Sequence, residues 1–109
     1  MSDLMSRHCS EQHGPALARE AAENLLRQLN GWALGPDAKE IRRTFAFKDY
    51  YRSMAFVNAV AWIAHREDHH PDMAVSYNKV TVVFSTHSVS GLSENDFISA
   101  AKIDALGAR

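Results

Sequence analysis

The chain has little of what holds small secreted proteins together. Cys9 is its single cysteine, which excludes an intramolecular disulfide framework and makes a reducing, cytoplasmic setting the expectation. No opening stretch has the basic-then-apolar pattern of a secretory leader. No apolar run approaches the roughly 20 residues that cross a bilayer. Charge of either sign is scarce in excess: the formal net charge is -1, which argues against attachment to nucleic acid or to an anionic membrane. Arg42-Arg43 is the one basic doublet and reads as a solvated strand pair. No internal repeat or low-complexity segment is present. With 109 residues, one domain with one modest core is expected.

The sparse prolines and glycines divide what remains. Residues 1–14 are polar and unpatterned up to Gly14-Pro15 and are expected to be a flexible tail, leaving residues 15–109 as the domain. His8, Cys9 and His13 in that tail could together bind a metal, but structural zinc usually takes four ligands, and a loose tail with too few spaced ligands is the expectation. Ala18, Ala22, Leu25 and Leu29 recur at helical spacing, so a helix is expected over 16–29, with Pro15 at its first position and Asn30-Gly31 as its stop. Residues 32–34 make a short strand, and Gly35-Pro36-Asp37 a turn. Residues 40–47 alternate, with Ile41, Phe45 and Phe47 on one side and Glu40, Arg42 and Thr44 on the other.

Asp49 suits the N-cap of a second helix running to about Glu67. Within 54–64 only Asn58 is polar, so this helix needs cover on more than one side: a partner subunit as well as its own sheet, or deep burial in a central position. After Pro71, residues 73–77 and 78–87 read as a second strand pair. Val80, Val82 and Phe84 point one way, and Lys79, Thr81, Val83, Ser85 and His87 the other. Ser93-Glu94-Asn95-Asp96 has the form of a capping box opening a last helix. The order α-β-β-α-β-β-α implies an α+β domain with its helices on one sheet face and the other face open.

Histidine is the residue type that gathers. Four of the six histidines, His65, His69, His70 and His87, fall between positions 65 and 87. Pro71 biases His70 away from helical geometry, so His65-Arg66-Glu67-Asp68-His69-His70-Pro71 reads as a helix ending with two imidazoles at the bend. Three uses compete. The histidines could be scattered surface or capping residues. His65 and His69, four apart on a helix, could begin a metal site, with His87 or an acid as the third ligand, although Arg66 is a poor neighbour for a divalent ion. Or the imidazoles could carry out metal-free acid-base catalysis, with Glu67 or Asp68 orienting one of them and His87 brought alongside.

The spacing of His65, His69-His70-Pro71, Tyr77, His87 and Asp96 resembles the signature of the pterin-4a-carbinolamine dehydratases, whose vertebrate members double as dimerisation cofactors of a homeodomain transcription factor. Phe45-Ala46-Phe47-Lys48-Asp49-Tyr50, Tyr77-Asn78-Lys79-Val80-Thr81-Val82 and Ser85-Thr86-His87 support the likeness. It implies a four-stranded antiparallel sheet carrying helices on one face, assembled as a homodimer or homotetramer. It also implies dehydration of 4a-hydroxytetrahydrobiopterin to quinonoid dihydrobiopterin, needing no metal and no cofactor. By the resemblance His69, His70 and His87 are the catalytic trio. Asp96 supports them, Asp68, Tyr77 and His65 stand nearby, and a regulatory protein partner is the alternative use of the scaffold. The chain departs from the pattern at His65, where many relatives carry an acid, and at Met73, where vertebrate relatives often carry an aromatic residue.

Overall fold

Two alternating runs build the centre of the molecule. In the computed structural model, which describes residues 3–106, strand β2 (Ile41–Ala46) pairs antiparallel with β4 (Lys79–Phe84) over six residue pairs, Ile41 opposite Phe84 and Ala46 opposite Lys79. Ile41, Phe45, Val80, Val82 and Phe84 are buried on one face, as period-2 patterning requires. Arg42, Thr44 and Ala46 are exposed on the other, where the Thr44 and Thr81 hydroxyls meet at 2.8 Å. Short edge strands β1 (Ala33–Leu34) and β3 (Asp72–Val75) complete the sheet in the order β1-β2-β4-β3.

Three helices cover the buried face: α1 (Arg19–Leu26), α2 (Tyr50–Glu67) and α3 (Glu94–Leu106). Phe56 and Val60 of α2, and Phe97, Ile98 and Ile103 of α3, meet the sheet residues in one continuous core. Each such side chain, fully buried, contributes roughly 1.5–3 kcal/mol. Trp32 sits at the core's edge, ring to ring with Phe45 at 6.2 Å, its indole N–H donating to Asp104 Oδ1 at 2.8 Å. The α-β-β-α-β-β-α order and the antiparallel sheet are those expected from the sequence.

Several boundaries differ. α1 begins at Arg19 with an extended Ala18 before it, so Pro15 is not its first residue. The reason is tertiary: the Leu17 amide donates to Leu92 O at 2.9 Å, which holds the chain extended there. Strand β4 ends at Phe84, and His87 opens a short 3-10 turn, His87–Val89, rather than continuing the alternation.

Residues 3–13 of the expected tail pack against the body of the fold, and residues 1 and 2 lie outside the described residues. Leu4, in the 3-10 turn Leu4–Ser6, is fully buried in the core. Lys102 Nζ donates to Met5 O at 2.9 Å, and Arg7 pairs with Glu94. The Cys9 amide donates to Glu67 Oε1 at 2.7 Å. Asn95 holds Ser10 by two bonds, accepting from its amide at 3.1 Å and donating to its carbonyl at 2.7 Å. We refer to residues 3–13 as the strap. Its polarity concealed this packing, because most of its anchors are hydrogen bonds to side chains far away in the chain.

Candidate active site

The end of α2 aims the first two histidines. Asp68 takes left-handed backbone geometry at φ 53, a conformation that aspartate tolerates better than most residues. The His69 amide returns to Ala64 O at 3.1 Å, closing the helix, and Pro71 prevents its resumption. In consequence His69 turns inward while His70 stays at the surface. Asp68→Val should lower stability by about 1–2 kcal/mol in urea melts because a β-branched residue resists this geometry, whereas Asp68→Gly should stay within about 1 kcal/mol of the parent. Equal losses in both variants would mean that the carboxylate, not the backbone, is what matters.

His69 is held by a buried carboxylate. Its side chain is 11% exposed, its ring lies parallel to Phe84 at 5.7 Å, and its Nε2 lies 2.6 Å from Asp96 Oδ1. Asp96 is fully buried. Its other oxygen, Oδ2, accepts from the Thr86 hydroxyl at 2.8 Å and from the Ser93 amide at 2.9 Å. The second of these is the reciprocal bond of a capping box, with Ser93 Oγ accepting from the Asn95 amide at 3.2 Å. Asp96 thus caps α3 with one oxygen and fixes His69 with the other. An ionised carboxylate only accepts, so Nε2 of His69 carries the proton and Nδ1 is left as the second site on the ring.

His70 and His87 are less constrained. His70 has a single long contact, Nδ1 to Pro71 O at 3.4 Å, and the His87 imidazole makes no hydrogen bond to another described residue. His87 is nevertheless well placed. The loop carrying it is closed by a Thr86–Gly91 bridge, in which the Thr86 amide donates to Gly91 O at 2.6 Å. A side chain at Gly91 would come within 2.8 Å of the Ala16 Cβ, so glycine lets α1's approach and this loop pack together.

His69, His70 and His87 line one open cleft of about 550 Å³ together with Asp68, Asp72 and Ser85. The strap supplies a further part of its wall through residues 9–12, and Glu67 and Asn95 also reach it. Burial pushes the Cys9 thiol up to about 11, only partly offset by the Ser99 hydroxyl. Burial would also raise the Glu67 carboxyl, but the Cys9 amide, His8 and Lys102 outweigh it and hold Glu67 below the ordinary carboxylate range.

Two residues singled out from the sequence stand apart from this cleft. Tyr77 is 63% exposed in the turn between β3 and β4, where its carbonyl accepts from Ser53 Oγ at 3.0 Å. His65 lies on the outside of α2 beside Trp62 and borders a smaller hollow of about 320 Å³ with Met73, Pro71 and His70. Among the described residues no three His, Cys, Asp or Glu side chains group as metal ligands, so neither His65 with His69 nor His8 with Cys9 and His13 forms such a set. Sequence reasoning missed Thr86, whose hydroxyl braces Asp96, and the strap. Thr86 lies in the Ser-Thr-His stretch already singled out, but which carboxylate it serves is a matter of the fold.

The geometry can be set against known proteins. The family model for pterin 4 alpha carbinolamine dehydratase matches residues 15–106. The chain belongs to this family. A relative from Nitrosomonas eutropha is 58% identical over 107 residues, covering 95% of this chain and 93% of that protein. Another, from Legionella pneumophila, is 55% identical over 108 residues, covering 96% of each. Both are provisionally named pterin-4-alpha-carbinolamine dehydratases. A crystal structure from Brucella melitensis, described as a transcriptional coactivator/pterin dehydratase, superposes with a TM-score of 0.81 at 34% identity, over 85% of this chain and 99% of that one. A pterin dehydratase-like RuBisCO assembly factor of the alpha-carboxysome shares the fold, with a TM-score of 0.63 at 22% identity over 72% of this chain and 92% of that one. No helix among the described residues is long and apolar enough to cross a membrane.

Proposed function

We propose that this member of the dehydratase family removes water from 4a-hydroxytetrahydrobiopterin to give quinonoid dihydrobiopterin, serving the recycling of the pterin used in aromatic amino acid hydroxylation. The observation that carries the reading is the convergence of three imidazoles on one cleft, in two kinds of setting. The C4a hydroxyl leaves as water only if it gains a proton, and N5 loses its proton as the new double bond forms. One proton is taken up and one released, so the sum is water and the quinonoid product. His70 and His87, with ring nitrogens free of strong protein partners, exchange these protons. His69, fixed by Asp96, holds the ring and the local charge. Acid and base together, each contributing on the order of 10²- to 10⁴-fold, suit this reaction. The two exchanging imidazoles face one substrate, so the acid and base roles are assigned to the pair and not to either ring.

A stopped-flow absorbance assay on freshly generated 4a-hydroxytetrahydropterin tests the reading directly. The wild-type protein should accelerate dehydration well above buffer. A rate equal to buffer would remove the enzymatic reading.

A role in protein binding draws on a different observation. On the outer face of α2, Tyr51 is 80% exposed and Trp62 60% exposed. Only Ser53, Phe56 and Val60 of this helix are buried. An apolar face of this kind fits a second copy of the chain or a regulatory partner, and homo-oligomers are what we expect in solution.

A further inference from the structure

The dehydratase reading concerns residues that lie within the family match, which begins at residue 15. The strap precedes it, yet forms part of the cleft wall. Its hold on the body of the protein is specific. Glu67, whose side chain is 6% exposed, accepts from the Cys9 amide at 2.7 Å and from His8 Nδ1 at 3.1 Å, with Lys102 Nζ at 3.7 Å. Asn95 clamps Ser10 from α3 by the two bonds already described. Beyond it, the Ser88 hydroxyl donates to Gln12 O at 3.0 Å, which ties the strap to the residue next to His87. Three elements that carry the imidazoles, or adjoin them, thus each grip the strap.

Gln12 is the strap residue whose chemistry is incomplete. Its Nε2 is shared among Ser10 O at 3.2 Å, Ser10 Oγ at 3.3 Å and Asn95 Oδ1 at 3.4 Å. Those partners are acceptors, which fixes the orientation of the amide. Its carbonyl oxygen Oε1 has no partner among the described residues. Gln12 is half-buried and borders the cleft. A reduced pterin presents several ring N–H donors that need such an acceptor once they leave water.

We propose that residues 9–12 are a substrate-positioning wall of the cleft, with the Gln12 carboxamide accepting from a ring N–H of the pterin and with Glu67 and Asn95 as its anchors. This rests on the dehydratase reading and adds to it a positioning residue outside the histidine cluster. The wall binds and orients the ring; it moves no proton. Its loss therefore acts on KM rather than on kcat.

The test uses the full-length chain, with dehydration kinetics and calorimetric binding of 7,8-dihydrobiopterin, which lacks the leaving hydroxyl. Gln12→Ala should raise KM and the Kd of this probe about three- to tenfold, the span of one lost hydrogen bond, with kcat little changed. Glu67→Leu frees the strap: mass-detected trypsin cleavage after Arg7 should quicken, and KM should rise by about tenfold or more. An unchanged KM and Kd in Gln12→Ala would overturn the proposal, as would an unchanged KM in a Glu67→Leu protein whose strap is demonstrably cleavable. A wild-type protein that turns over while both variants match its KM would sink the wall and spare the dehydratase. A wild type with neither turnover nor affinity for the probe would sink both.

Discussion

Asp96→Ala should be the most damaging single substitution in this chain. It strands three donors that now converge on one buried carboxylate: His69 Nε2, the Thr86 hydroxyl and the Ser93 amide. Removing one partner of a buried, hydrogen-bonded charged group costs about 3–5 kcal/mol, because the groups left behind are desolvated and unpaired. Set against a typical total of about 5–15 kcal/mol, that is enough to leave the domain marginal. A fall in melting temperature of about 12 °C or more is expected by calorimetry. Asp96→Asn separates the two jobs of the residue. One carboxamide oxygen still serves as an acceptor for the α3 cap, so most of the fold should survive. Its NH₂ group then either opposes His69 Nε2–H or forces the other tautomer on the ring. A loss of about 10²- to 10⁴-fold in kcat is expected, on the precedent of other carboxylate-imidazole pairs. An Asn variant as active as the parent would show that the tautomer of His69 plays no part in turnover.

His70→Ala and His87→Ala should show the opposite balance. Both residues are exposed, and neither is held by a strong hydrogen bond. Surface changes of this kind alter stability by no more than about 0.5 kcal/mol. Each should nevertheless reduce kcat by about 10²- to 10⁴-fold if it carries one of the two proton transfers. His69→Ala is the control. Its ring is 11% exposed and partners the buried Asp96, so it should lose stability along with activity. If His87→Ala retained the parent's rate within a few-fold, the paired acid-base mechanism would be wrong and the proton traffic would pass through His69 and His70.

How much of this was legible in the chain follows from how local each determinant is. Val80, Val82 and Phe84 alternate with Thr81 and Val83, and a two-residue period leaves one choice of buried face. Asp49 caps α2 through a bond to Arg52 N at 2.9 Å, three residues away. The two-strand, helix, two-strand order could be read for the same reason, since each element advertises itself within about ten residues. The extension of the alternation to His87 failed because the chain turns at the Thr86–Gly91 bridge, where Ala16 lies too close to Gly91 for any side chain to fit. The segment from residue 3 to residue 13 looked loose because it carries no apolar period of its own. Its partners, Glu67, Glu94, Asn95 and Lys102, come from the far side of the sequence.

For the site the division is the same. The sequence by itself determined the fold class, the family and the set of imidazoles, because apolar period, cap chemistry and the spacing of histidines are properties of short stretches. Only the tertiary structure decided that Asp96 serves His69, that Thr86 braces Asp96, that Tyr77 and His65 stand outside the cleft, and that the strap helps to wall it. Those are pairings between residues ten or more positions apart. They are chosen by which faces of the helices and sheet exclude water together, and no local pattern encodes that choice.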